Sequence, residues 1–249
     1  MTSVDESFDD QLLQDFMSTF YGYGSYSGPY WFIGMEEGGG DSVREVSKRL
    51  MVWDQRGRHE LEDVVEYHLE LGITHPFGEK PMLQPTWAKL IRVLLSMEGQ
   101  TPTTEEVRNY QQRLWARNGS NVCLLELLPL PSPSTSHWLY AQHSQLSSLV
   151  SREQYRRIWS NVRIHALRQR IAAHQPQAVV CYSFSYLPFW TELVGTALQP
   201  VLAGGMYIHQ TQSTVYAVLK HPAATGVTSA YFHEAGRLIR STLAGKRMT

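Results

Sequence analysis

Four short apolar runs punctuate the chain, at residues 30–34 (YWFIG), 121–128 (NVCLLELL), 178–182 (AVVCY) and 214–220 (TVYAVLK). The first three are almost unbroken, the pattern of strands covered on both faces. Segments with helical spacing lie between them. Ser42 with Glu45 predicts a capping box that opens a helix through about residue 50. Residues 59–71 carry apolar positions at helical spacing and end at Gly72. Thr86 starts another helix, with Trp87, Leu90, Ile91, Leu94 and Leu95 on one stripe. Residues 104–116 form a further candidate. Ser151 with Gln154 caps a long helix through about residue 173, closed by Pro176, and residues 228–244 form the last, stopped by Gly245.

Strands alternating with helices predict an α/β fold, a three-layer α/β/α sandwich around a central four-stranded parallel sheet. Neither an internal repeat nor a low-complexity linker divides the chain. Its 249 residues are read as one domain, long enough to bury a substantial core.

In such sheets ligands bind beyond the carboxyl ends of the strands, so the residues just after each run carry the functional signal. The first run leads into Gly34-Met35-Glu36-Glu37-Gly38-Gly39-Gly40. A glycine-rich turn with acidic residues at a helix N-terminus accounts for it structurally. Two carboxylates on a glycine hinge equally suit general-base or cation-stabilising work. A phosphate loop is a poor alternative, because its lysine and hydroxyl are missing and carboxylates repel phosphate. Within the second run stands Glu126, a carboxyl among leucines that must be paired or aimed at a ligand. The loop after it, Pro129-Leu130-Pro131-Ser132-Pro133-Ser134, suits either a simple turn or contact with a phosphate backbone. Ser183-Phe184-Ser185-Tyr186 comes after the third run, and the fourth ends at Lys220-His221-Pro222. A histidine at the end of a core strand, its neighbour fixed by proline, is a candidate for chemistry.

Composition narrows the choices. A net charge of -1 gives no bulk attraction to nucleic acid, so DNA binding would need a local basic face. Arg152, Arg156, Arg157, Arg163, Arg168 and Arg170 crowd the long helix, but helical spacing spreads them into a solvated surface. Tyr21, Tyr23 and Tyr26 alternate with glycines and serines and read as a surface loop. Two cysteines, Cys123 and Cys181, cannot build a four-cysteine zinc or iron–sulfur site and read as buried strand residues. No metal or other cofactor is expected. The first sixteen residues are acidic and polar, unlike a secretion signal, and no apolar run is long enough to cross a bilayer. A soluble, cytoplasmic monomer is expected.

Taken together, the four strand ends resemble the uracil-DNA glycosylase superfamily, whose first motif is typically Gly-Gln-Asp-Pro-Tyr and whose last is His-Pro-Ser. Gly34 takes the first glycine position and Glu36 falls at the water-activating aspartate, while His221-Pro222-Ala223 resembles the last motif. The resemblance implies that His221 hydrogen-bonds the departing base and that Phe77 stacks on the flipped base, with Met35 beside it. It puts Glu126 where an asparagine reads uracil, Ser183 and Ser185 near a serine loop that grips the DNA backbone, and Val227 at the wedge position. Ser132 and Ser134 are further candidates for backbone contact. Met35 and Glu37 replace glutamine and proline, so Glu36 and Glu37 compete for the catalytic role.

The implied activity is a monofunctional DNA glycosylase that leaves an abasic site, since no lysine is placed as a Schiff-base nucleophile. An ionised Glu126 could only accept hydrogen bonds, which matches the amino group of cytosine rather than uracil. Unmodified cytosine would expose the host genome. The expected target is therefore a hydroxymethylated or glucosylated cytosine, as in phage DNA, the resemblance extending to phage-defence members. Gly38, Gly39 and Gly40 would leave room for the substituent. The alternatives are uracil excision in repair, hydrolysis of a free nucleoside or nucleotide, and an inactive nucleic-acid-binding module.

Overall fold

The computed structural model describes residues 7–246. The acidic start of the chain, unlike a secretion signal in its residues, lies partly outside them.

The four apolar runs fold as β2 (Tyr30–Gly34), β4 (Val122–Glu126), β5 (Ala178–Tyr182) and β8 (Val215–Leu219). The pairs β4–β2, β2–β5 and β5–β8 are all parallel. Their consecutive residues are buried almost throughout, as continuous apolar runs require. Successive residues of β2 meet different partners. Trp31 packs beside His174 at the end of α7 (Arg152–His174), and Phe32 packs against Trp115, beyond α5 (Thr104–Arg113).

The expected sheet of four parallel strands is corrected: eight strands form one mixed sheet, in the order β3-β1-β4-β2-β5-β8-β7-β6. On one side β1 (Gly22–Gly24) runs antiparallel to β4 and pairs with β3 (Leu61–Glu62). On the other, β7 (Met206–Gln210) runs antiparallel to β8 and to β6 (Gln199–Val201). The surface-loop reading of the tyrosines is also overturned, because Tyr21 and Tyr23 are buried. The glycines between them let β1 approach β4: a Cβ on Gly22 would sit 2.1 Å from the Leu124 carbonyl oxygen.

Helix starts follow their caps more closely than helix ends follow periodicity. Ser42 caps α2 (Val43–Gln55), Thr103 with Glu106 makes a full capping box for α5, and Ser151 caps α7. Glu45 turns away from Ser42, to the Gly40 amide and to Arg49, so the first box is only half formed. The helix expected over 59–71 begins late, as α3 (Val64–Glu70). Asp63 accepts the Val65 and Glu66 amides and so starts the helix there, leaving the preceding residues to pair as β3. Helices α1 (Asp10–Thr19), α6 (Tyr140–His143) and α8 (Leu187–Val194) have no counterpart among the expected elements.

Helix α4 (Pro85–Met97) packs along α9 (Ser229–Lys246) at close range. A Cβ on Gly236 would meet the Val93 carbonyl oxygen at 2.4 Å and the Ser96 Cβ at 2.6 Å. Alanine is the better helix former by roughly 1 kcal/mol, yet here it must push the helices apart. Gly236→Ala is therefore expected to destabilise the protein by about 1–3 kcal/mol, read as a lower urea midpoint. A stabilised variant would show that the seam is loose.

Candidate active site

The carboxyl ends of β2, β4, β5 and β8 open onto a cleft of about 670 Å³. It brings together Met35, Glu36, Glu37, Glu126, Ser132, Ser134, Ser183 and His221 from the ends of those four strands and the loops that follow them. In the parallel register Gly34 lies opposite Glu126. A Cβ on Gly34 would meet the Tyr182 hydroxyl at 2.2 Å and Glu126 Oε2 at 2.3 Å, so only glycine lets these groups converge.

The two adjacent glutamates have different surroundings. Glu37 accepts hydrogen bonds from the Tyr23 hydroxyl at 2.9 and 3.1 Å and from Arg49 Nη1 at 3.1 Å, and its Oε1 lies 3.6 Å from His68 Nε2. Burial opposes its ionisation, but Arg49, His68 and Tyr23 outweigh burial and hold the carboxyl at about 2. Both Glu37 oxygens are thus engaged. Glu36 pairs through Oε1 with Arg152, while its buried Oε2 has no partner. Burial pushes the Glu36 carboxyl up, and Arg152 and Arg156 only partly offset that. Glu36 is therefore the carboxyl with a free oxygen.

Among the described residues, no cation pairs with the Glu126 carboxyl. Tyr182 approaches Oε1 at 3.4 Å, and Oε2 has no partner. Arg163, from α7, donates instead to the backbone carbonyls of Glu126, Leu127 and Phe20, at 2.9, 3.2 and 2.6 Å. Burial, then the neighbouring Glu37 and Glu36, push the Glu126 carboxyl well above the usual range. This shift runs against the expectation that Glu126 is an anion that can only accept.

His221 Nδ1 accepts the Ala223 amide at 3.0 Å, so Nε2 carries the ring proton. Burial, helped by the charge of Lys89, lowers its pKa and favours the neutral ring. Lys89, on α4, binds the carbonyl oxygens of Pro222 and Val227 and so braces the loop that carries His221. Lys220 points elsewhere, its Nζ lying over the Tyr231 ring.

Other expected contributors are placed differently. Phe77 does not line the cleft; it is buried against His68 and Trp87, and it is Trp87 and His68 that reach the cleft wall. Val227 is half-buried against the core, and the exposed part of its loop is residues 223–226. Ser132 is buried and committed: its hydroxyl donates toward the Ser134 and His137 carbonyls and accepts from Arg152 Nη1 at 2.7 Å. Ser134 and Ser185 are exposed, but Ser185 lies outside the cleft. Ser183 is buried with φ +81°, a strained backbone for a serine, held by bonds to Leu219 and Trp190. Of the three glycines expected to leave space, only Gly38 does. A Cβ on Gly39 would meet Arg49 at 2.7 Å and one on Gly40 the Pro131 carbonyl at 2.6 Å.

The arginines of α7 are not a uniform solvated surface, since Arg163 is fully buried and Arg152 reaches into the site. Arg49 and His68 were not singled out from the sequence, Tyr182 was read only as part of a strand, and Tyr23 and Arg152 were read as surface residues. Arg152 had one usable signal, its place directly after the Ser151 cap, where the helix start faces the strand ends.

No protein-family model matches the chain, and no curated protein matches it significantly.

Glu37 makes acid stability testable. Its folded pKa lies below the unfolded value, so its contribution is complete above about pH 4.5 and fades as pH falls toward 2. The loss over that window is on the order of 3 kcal/mol. Urea unfolding of wild type should follow this slope, and Glu37→Gln should flatten it. Equal slopes in both proteins would remove Glu37 from the acid response.

Proposed function

We propose that this chain is a monofunctional DNA glycosylase, with its sheet as the middle layer of an α/β/α sandwich of the uracil-DNA glycosylase type. One observation carries the reading: Glu36, whose Oε2 has no hydrogen-bond partner among the described residues, and His221, whose Nε2 carries the ring proton, line the same cleft, with Glu126 also on its wall.

Hydrolysis of an N-glycosidic bond needs a carboxylate near the sugar and a hydrogen-bond donor near the base. The target base leaves the stack, at a cost of a few kcal/mol, and enters the cleft. As the bond from sugar to base breaks, the sugar gains oxocarbenium character, which an ionised Glu36 stabilises. Its free oxygen takes a proton from the attacking water as the new carbon–oxygen bond forms. A raised pKa makes Glu36 a better base near neutral pH. The bonding electrons leave with the base, and neutral His221 stabilises that anion through Nε2–H until it is protonated by solvent. No lysine among the described residues lines the cleft, which supports hydrolysis over a lyase reaction.

Tyr186 lines the cleft and Arg156 lies over its ring, a pairing of aromatic and cation that suits a nucleic-acid partner. Space allows a base with a 5-substituent: nothing lies within 4 Å of a Cβ on Gly38, on the wall of a cleft of about 670 Å³. A hydroxymethylated or glucosylated cytosine, as in phage DNA, is the substrate we propose.

The test is abasic-site formation on duplexes containing uracil, hydroxymethylcytosine or glucosylated hydroxymethylcytosine. We expect release of the modified cytosine, a fall of about 10²- to 10⁴-fold for Glu36→Gln, and a fall of about 10²- to 10³-fold for His221→Ala. Release of uracil alone would move the activity to repair. Hydrolysis of free nucleosides with no action on DNA would overturn the glycosylase reading, as would full activity in both variants.

A further inference from the structure

Three arginines around the cleft are committed to the protein itself. Arg49 is held by Glu37 and Glu45, Arg152 by Glu36 and the Ser132 hydroxyl, and Arg163 by three backbone carbonyls. Arg156 is spent on nothing of this kind. It lies one turn after Arg152 on α7, and its charge lowers the Glu36 carboxyl, so it stands on the cleft side of the helix. Among the described residues its guanidinium has neither a hydrogen-bond acceptor nor an ion-pair partner, yet none of its nitrogens is shut away from solvent.

What Arg156 does have is a fixed seat. Its guanidinium carbon lies 5.8 Å from the Tyr186 ring centre and 5.7 Å from that of Phe189, and the two centres are 6.4 Å apart. The three form a near-equilateral triangle, with the cation in the corner of two rings. Tyr186 also meets the fully buried Trp190 at nearly a right angle, and Trp190 Nε1 donates to the Ser183 carbonyl. The seat is thus tied to the core and to a strand end that borders the cleft. Holding a long side chain in place costs rotamer freedom, and nothing in the fold uses the five N–H donors so placed.

A planar guanidinium with unspent donors matches two oxygens of a phosphate group. Tyr186 lines the cleft, whereas Arg156 and Phe189 stand outside its lining. A phosphate at Arg156 therefore sits at the rim rather than in the cavity, and belongs to a ligand that continues past the mouth. Cations beside ring faces suit a nucleic-acid strand. We propose that Arg156, seated on Tyr186 and Phe189, binds a backbone phosphate of a DNA strand that runs across the rim of the cleft. The choice of DNA rests on the reading given under Proposed function; the anion site does not. With a net charge of -1 the chain has no bulk attraction for DNA, so one such contact weighs heavily.

The test is binding of the full chain to unmodified single-stranded and duplex DNA, followed by fluorescence anisotropy over a series of salt concentrations. Arg156→Gln should weaken binding about tenfold whatever the base sequence, and should reduce the slope of log K against log salt by about 1. Arg156→Lys should keep the slope, because the charge stays, but recover only part of the affinity, because an ammonium neither forks nor stacks as a guanidinium does. Phe189→Leu should weaken binding severalfold and leave the slope unchanged. An unaltered slope in Arg156→Gln would overturn the proposal. Loss of deoxycytidine monophosphate binding in that variant, with DNA binding intact, would also overturn it by giving the anion to a free nucleotide. A slower reaction with DNA binding unaltered would make Arg156 a partner of Glu36 alone, and would overturn it too. If wild type and variant differ as expected on DNA but no substrate yields an abasic site, the glycosylase reading falls and the phosphate site stands. If abasic sites form and Arg156→Gln binds DNA as wild type does, the phosphate site falls and the glycosylase reading stands.

Discussion

Three carboxyl groups converge because a parallel register sets Gly34 directly opposite Glu126, and Glu36 and Glu37 come almost at once after Gly34. Crowding of like charges in a partly buried place is costly, so the surrounding structure is shaped by how that cost is met. Glu37 is met by Arg49 from α2, with Tyr23 and His68 completing its shell. Glu36 is met by Arg152 from the first turn of α7. Among the described residues no cation pairs with Glu126, and its carboxyl is pushed toward the neutral form. Each solution recruits a different element: α2 brings Arg49 to the cleft wall, and α7 brings Arg152 to Glu36.

Helix α7 contributes twice to this arrangement. At its start Arg152 joins Glu36 to the Ser132 hydroxyl and the His137 carbonyl, so the loop after β4 and the loop after β2 share one counterion. Near its middle the buried Arg163 gathers carbonyls from Phe20 and from the end of β4, and lies 3.6 Å from the centre of the Tyr21 ring. Carbonyls beyond a strand end would otherwise be left without donors. A guanidinium with five fixed donors satisfies several of them at once.

Sequence reading recovered what is periodic and missed what is relational. The strands β2, β4, β5 and β8 were legible because burial on both faces leaves an unbroken apolar run. The outer strands were not, since β1 is a tyrosine between glycines and β6 is three residues long. Tyr21 and Tyr23 looked solvent-bound by their neighbours, yet those glycines exist to let the backbone come close. In the site, Glu36, Glu37, Glu126 and His221 were legible as polar residues at apolar strand ends. Their counterions were not, because Arg49 and Arg152 lie on other elements and only folding brings them near. The same holds for Phe77, Val227 and Ser132, whose expected exposure depended on packing that no local pattern encodes. Protonation was the least legible property of all: burial first, then Glu37 and Glu36, push the Glu126 carboxyl well above the usual range, and none of these can be read from its place in the run.

The brace made by Lys89 has a mechanical consequence. Because Lys89 holds the carbonyls of Pro222 and Val227, the loop bearing His221 moves with α4, which also carries Thr86 and Trp87 on the cleft wall. Helix α9 is locked to the same helix by close packing. Helix α4, α9 and the His221 loop therefore form one jaw, and the loops clamped by Arg152 form the other. Close packing at Gly236 thus backs the same helix whose first turn supplies Thr86 and Trp87 to the cleft wall.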